Sequence, residues 1–240
     1  MVVTQEMRSS NKRIYAADYL GVVPYESALK LQRELEQARD GDKIPDVLLL
    51  LQHPPVFTIG RFRGRENLII PQEKLQREGI AVFETNRGGS ITYHGPGQLV
   101  GYPILNLKKI GLGVREYIWK LEEVVIRLLL ELGIRGHRVT KYPGVWVDSK
   151  KICSVGIHVN RHITTHGFAL NVNTELRYFD YVRPCGINSA VITSISKLLG
   201  YPLEVEAIIE PVLNCFSAVF ELRCQREGGK YLAALNTPSG

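Results

Sequence analysis

Cys185 stands in the stretch "RPCGI", between a proline that restricts the backbone before it and a glycine that removes side-chain bulk after it. A cysteine in such a setting is either a small apolar residue in a turn or a rigidly presented nucleophile. The second use needs a thiolate, and an ordinary thiol, with a pKa of about 8.5, needs a nearby positive charge to ionise at neutral pH. Lys151 is the lysine that fits, because it begins the apolar run "KICSVGIHV", whereas its neighbour Lys150 is the natural solvent-facing one. Period-two alternation would put Lys151, Cys153 and Val155 on one face of that strand and Ile152, Ser154, Gly156 and His158 on the other. Cys153 is thus a rival nucleophile. Two residues along a strand are about 7 Å apart, too far for a direct hydrogen bond, so Cys153 reads as core filler.

A second unusual stretch is "RGGSITYHGPGQ", Arg87 to Gln98, which holds four glycines and a proline and has too little apolar surface for a core element. A dinucleotide fingerprint or a phosphate loop would place its glycines where a strand turns into a helix. Here the flanking segments both read as strands, which leaves a tight irregular turn or a wall of backbone pressed against a ligand. Arg87 and His94 favour the wall. The other histidines of interest are His53 in "QHPP" and His166 in "TTHGFALN"; no pair has metal-site spacing, and the four cysteines form no C-x-x-C pair, so no metal is expected.

The elements that must position these residues form a mixed α/β pattern. "RIYAADYL" and "DVLLLLQH" read as strands around a helix in "PYESALKLQRELEQARDG", with Pro24 in its first turn and Gly41 past its end. "PQEKLQREG" reads as a short helix, "IAVFETNR" as a strand, and "QLVGYPILNL" as a strand that Pro103 should confine to an edge. Val114 to Leu132 has the spacing of an amphipathic helix stopped by Gly133. "GVWVD", "KKICSVGIHVN" and "TTHGFALNVN" follow as strands, the last two as a hairpin. "YFDYVRPCGI" is loop-like, and "LEVEAIIEPVLNCFSAVFELRCQ" reads as a closing helix interrupted by Pro211.

At 240 residues the chain suits one domain, expected over residues 13–224, with a polar tail over residues 1–12 and a C-terminal tail over 225–240. It has neither an apolar run of membrane-span length nor the apolar segment of a secretory signal, so the expected location is the cytoplasm, away from the membrane. Thirty basic residues against twenty-four acidic ones give a net charge of +6, which favours an acidic partner. Basic motifs interleaved with aromatics are absent, which argues against a nucleic-acid module.

"RGGSITYHGPGQLVGYPI", "KICSVG", "HGFALNVN" and "PCGI", in this order and spacing, together resemble the lipoyl(octanoyl) transferase family. The resemblance covers most of the chain, from "LLLLQHPPVFTIGR" to about "SISKLLG", and four ordered motifs are far more specific than any one of them. It implies a single α/β domain of the biotin and lipoyl protein ligase catalytic type, with a mixed, largely antiparallel sheet and packing helices. It implies transfer of an octanoyl group from the phosphopantetheine of acyl carrier protein to a lysine of a lipoyl domain, the first step of lipoate cofactor assembly. Acceptors would be the lipoyl domains of 2-oxoacid dehydrogenase complexes and the glycine cleavage H protein, and neither ATP nor a metal would be needed. By the same resemblance Cys185 is the acyl-accepting nucleophile and Lys151 its activator. Arg87, Gly88, Gly89, Ser90, Ile91, Thr92, Tyr93 and His94 would line the acyl site, as would Ser154, Val155 and Gly156, and Gly167, Phe168 and Ala169. An ATP-dependent ligase of the same fold is the nearest rival, and it needs no nucleophilic cysteine.

Overall fold

The computed structural model describes residues 12–62, 64–182 and 192–236; Cys185 and the rest of "RPCGI" lie outside the described residues. β1 (Ile14–Val22) leads through α1 (Tyr25–Asp40) to β2 (Asp46–Gln52), which pairs parallel with β1. Pro24 and Gly41 cap α1 from just outside its two ends. β2 is buried along its whole length, as its unbroken apolar run requires. β3 (Val56–Ile59), α2 (Gln72–Arg77), β4 (Ala81–Glu84) and β5 (Ile91–His94) then build a small sheet in the order β4-β3-β5.

β6 (Gln98–Ile104) returns to the large sheet and is followed by α3 (Leu107–Ile110) and α4 (Val114–Glu131). The strands β7 (His137–Arg138), β8 (Gly144–Val147), β9 (Lys150–Asn160) and β10 (Ile163–Asn171) come next, then α5 (Ile195–Leu199), α6 (Ile209–Phe220), β11 (Arg223–Arg226) and α7 (Lys230–Asn236). The large sheet runs β11-β1-β2-β6-β10-β9-β8-β7. Only the β11–β1 and β1–β2 pairs are parallel, so the sheet is mixed and largely antiparallel as expected.

Apolar side chains of α4 and α6, among them Leu121, Leu128, Val212 and Phe216, cover one face of this sheet. α1 and α7 cover the other through Ala28, Leu31, Leu35 and Tyr231. A third cluster, around Phe57, Tyr93, Phe179 and Ile192, fills the space beneath the small sheet.

Four elements differ from the sequence reading. β6 is central, between β2 and β10, in spite of Pro103. The reason lies across the strand boundary: Pro103 Cδ is 2.7 Å from where a Cβ on Gly167 would stand, so the ring occupies space that only glycine leaves. There the Thr164 hydroxyl replaces ladder bonds, donating to Pro103 O at 2.7 Å and accepting from Leu105 N at 2.9 Å. Pro211 opens α6 rather than interrupting a helix, because it falls in the first turn, where an N–H has no intrahelical partner. The glycine-rich segment contains a strand of its own, β5. Beyond residue 224, where a tail was expected, β11 pairs with β1, and the Asp18 carboxylate accepts from Gly229 N and Tyr231 N at 3.0 Å each, tying down α7.

The tight β6–β10 contact makes a stability prediction. Gly167→Ala would press a methyl to 2.2 Å from Gly101 O, and should destabilise the fold by about 1–3 kcal/mol in urea unfolding. Gly41→Ala, at φ −80° with only ordinary contacts, should change stability by less than about 1 kcal/mol.

Candidate active site

A cavity of about 420 Å³ opens between the small sheet and strands β6, β10 and β9 of the large one. Such a volume suits a small ligand or the acyl arm of a larger one. One wall is the glycine-rich segment, where Gly88, Gly89, Ser90, Ile91, Thr92 and His94 line the space. The opposite wall is β9 and β10, with Ser154, Val155 and Gly156 facing Gly167, Phe168 and Ala169. Lys151 lies on the same lining, so three stretches far apart in sequence meet around one space. Tyr93 does not line it; alternation along β5 turns its ring into the third core, stacked on Tyr178 at 4.8 Å.

The wall is held by backbone. Gly88 N donates to Ile157 O at 2.8 Å, and a Cβ on Gly156 would stand 3.0 Å from Gly88 O. The Gly88 N–H is therefore already engaged and is no donor for a developing oxyanion. Arg87 lines the cavity while its guanidinium braces the segment: Nη2 donates to Thr58 O at 2.5 Å and to Thr58 Oγ1 at 2.9 Å, and Nη1 to Gly88 O at 3.0 Å.

The histidines at this site are polar and uncharged: His94 and His166 lie on the lining, and His53 packs behind His94, with ring centroids 5.8 Å apart. His53 donates from Nδ1 to Val23 O at 2.7 Å and accepts the Tyr102 hydroxyl at Nε2, 2.8 Å away. His94 donates from Nδ1 to Gln98 Oε1 at 2.7 Å. His166 adopts a left-handed φ of 56° inside β10; its N–H bonds Gln32 Oε1 on α1 at 2.8 Å, and its Nε2 donates to Asn86 Oδ1 at 2.8 Å. Burial pushes His53 down to about 4 and His166 to about 3, and holds His94 well below the usual imidazole range. The positive charge of Arg87 works in the same direction on His94 and His166. Tyr25 and Tyr102, on the same lining, are raised by burial. All of these groups are neutral at pH 7, as burial of an apolar chain among them requires.

Lys151 is fixed through its backbone. Thr193 N donates to Lys151 O at 3.0 Å, and Ile192 bridges to Lys151. Thr193 O in turn accepts from Asn171 Nδ2 at 3.0 Å, Asn171 Oδ1 accepts from Gln98 Nε2 at 2.9 Å, and Gln98 holds His94. A buried chain of amides thus links the glycine-rich wall to residues 192–193, a few positions after Cys185 in the sequence.

The expected alternation along β9 does not hold, because the β8–β9 register slips between Val145 and Trp146. Cys153 enters the core at 1% exposure, away from the cavity lining, while Lys151 faces the cavity. Burial raises the thiols of Cys153 and Cys215 to about 12 and raises that of Cys224, so none of these is a ready thiolate. Tyr25, Phe62, Ile118 and Tyr142 also line the cavity, though no sequence pattern singled them out. Tyr102 was legible only as part of "LVGYPI". Among the described residues no group of three or more His, Cys, Asp or Glu could hold a metal, and no helix is long and apolar enough to cross a membrane.

The same fold occurs in lipoate-protein ligase A bound with ATP, with a TM-score of 0.72, 15% identity and 93% of this chain aligned to 92% of that one. It occurs also in the bi-partite lipoate protein ligase of Thermoplasma acidophilum, with a TM-score of 0.70, 16% identity, and 93% and 89% of the two chains covered. Residues 24–217 match the model of the lipoyl protein ligase A/B catalytic domain, which defines the class of protein. Within it, the octanoyltransferase of Caldicellulosiruptor saccharolyticus is 50% identical over 204 residues, 84% of this chain and 87% of that protein. That of Desulforamulus reducens is 45% identical over 203 residues, 84% and 89% of the two chains. The chain belongs to the octanoyltransferase family of acyltransferases.

The buried neutral histidines make stability depend on pH with a definite sign. Unfolded, a histidine titrates at about 6.5; folded, His53 stays neutral to about 4 and His166 to about 3. Between those values the unfolded chain binds more protons, so stability is lost as pH falls, by up to about 1.4 kcal/mol per pH unit for each histidine. The melting temperature should drop between about pH 6.5 and about pH 4.5, and His166→Gln should make the drop shallower. A melting temperature with the same slope in wild type and variant would contradict neutral burial of His166.

Proposed function

We propose that this octanoyltransferase takes the octanoyl group from the phosphopantetheine thioester of acyl carrier protein onto Cys185 Sγ and passes it to the ε-amine of a lipoyl-domain lysine. Acceptors of this kind are the lipoyl domains of 2-oxoacid dehydrogenase complexes and the glycine cleavage H protein, and the reaction runs in the cytoplasm. The observation that carries the reading is the position of Lys151. It lies on the wall of a cavity with a neutral floor, and its own carbonyl bonds Thr193, shortly after the stretch that carries Cys185.

The proton inventory closes over one cycle. The Lys151 amine takes the Cys185 proton, and the thiolate attacks the carrier thioester. As that bond breaks, the ammonium returns a proton to the departing phosphopantetheine thiol. The acceptor amine then attacks the Cys185 thioester, Lys151 accepts the proton it sheds, and the cysteine leaves as thiolate. Thioester exchange is nearly balanced and thioester to amide runs downhill, so no ATP is required. About 0.8 kcal/mol for each buried methylene anchors the octanoyl tail in the cavity. The exposed Phe62 on the cavity lining and the chain's net charge of +6 suit an acidic carrier.

Lys151→Arg tests the double role. Arginine keeps the charge but does not deprotonate in proteins. In single-turnover assays without ATP, Lys151→Arg should acylate faster than Lys151→Ala yet fail in transfer to the lipoyl domain. Normal amine transfer by Lys151→Arg would remove the base role, and a requirement for ATP would favour a ligase.

A further inference from the structure

Glu122 on α4 has had no part in the chemistry so far, yet it lies beneath Lys151. It is 7% exposed, and Oε1 accepts the Gly144 N–H at 2.8 Å. Its other oxygen is 3.2 Å from Arg138 Nε. Arg138 is itself held by Glu123 Oε2 at 2.6 Å, by Trp119 O at 3.0 Å and by the Trp119 ring, 4.1 Å from the guanidinium carbon.

Gly144 is the link to the lysine. It sits at φ +131°, and a Cβ there would stand 2.7 Å from Lys151 Cε and 2.2 Å from Cys153 O. The lysine side chain therefore runs along the bare face of the residue whose amide Glu122 holds, on the way to a position 5.7 Å over the Trp146 ring. Burial raises the Glu122 carboxyl, while the Gly144 amide, Arg138 and the Lys151 charge pull it back, so the two ionic groups feel each other.

We propose that Glu122 is a positioning residue for acyl transfer: it seats Lys151 through Gly144, and its negative charge holds the lysine in the ammonium form between proton transfers. The inference rests on Lys151 being the proton carrier of the proposed reaction.

Among the described residues the following titratable groups surround this pair. Arg138 on β7 and Glu123 on α4 flank Glu122, Cys153 shares β9 with Lys151, and Lys141 and Tyr142 reach the cavity lining from the β7–β8 turn. α6, on the far side of α4, contributes Cys215, which bonds Glu131 at 3.4 Å, near the other end of the helix. Among the described residues Glu122 is a carboxylate that feels the Lys151 charge, and Arg138 is its counterweight.

The test is the pH dependence of each half-reaction in the full-length protein, by single turnover with octanoyl-acyl carrier protein and a lipoyl domain. Glu122→Gln keeps an acceptor for the Gly144 amide and removes the charge. The pH at which Lys151 loses its ammonium should then fall by about one unit, seen as an earlier alkaline decline of acylation and an earlier onset of amine transfer. Arg138→Gln removes the counterweight and should move both limbs the opposite way, which keeps the test decisive if Glu122→Gln does not fold. Unmoved limbs in a folded Glu122→Gln, or no opposite shift in Arg138→Gln, overturn the proposal. Lys151→Ala separates the causes: wild-type acylation in that variant overturns the lysine assignment and this inference with it. Lost acylation beside an unmoved Glu122→Gln profile overturns the inference alone.

Discussion

The Gly88 N–H reaches across to the Ile157 carbonyl, and the site depends on that approach. It brings the backbone of the small sheet's glycine-rich segment onto β9 beside Gly156, where a Cβ would stand 3.0 Å from Gly88 O and push it back by a few tenths of an ångström. Because the two sheets meet through backbone there, the space beside the contact is left open and becomes the cavity. The Arg87 guanidinium, spanning Thr58 and Gly88, keeps the segment from collapsing into that space. A polar group of this kind left without partners would cost about 1–3 kcal/mol, so the brace and the cavity stand or fall together.

Charge is distributed in keeping with that geometry. The floor is built from histidines and tyrosines whose burial keeps them neutral, so an apolar chain can lie against hydrogen-bonded groups without opposing an ion. Lys151 brings charge to the lining at β9, and the buried Glu122 carboxylate on α4 and the half-buried Arg138 guanidinium on β7 lie behind it. The chain His94–Gln98–Asn171–Thr193 ties floor, sheet and the approach to the Lys151 backbone into one rigid set. Rigidity of that order is what acyl transfer needs, since misplaced reacting groups lose rate steeply.

Much of this was legible in the sequence, for physical reasons. The unbroken run of β2, the period of α4 and the Pro24 and Gly41 caps are local signals, and the structure follows them. Three of the four ordered motifs meet at the cavity walls, and the fourth, "PCGI", lies outside the described residues. What failed was non-local. Pro103 looked like an edge marker because the vacancy that admits its ring belongs to Gly167, more than sixty residues away. The β8–β9 slip that separates Lys151 from Cys153 depends on pairing, which periodicity along one strand does not carry. Glu122 looked like one more polar residue on an amphipathic helix, and only the packing of α4 against β8 gives it a partner in Gly144.

The central claim is that the acyl group rests on Cys185 while the other three cysteines are bystanders. Peptide-resolved mass spectrometry after mixing with octanoyl-acyl carrier protein, without ATP and without acceptor, tests it directly. The account predicts one octanoyl increment, carried by the peptide that contains Cys185 and lost on treatment with hydroxylamine. An increment on Cys153, Cys215 or Cys224, or octanoyl transfer with no enzyme-bound increment at any time point, would contradict it.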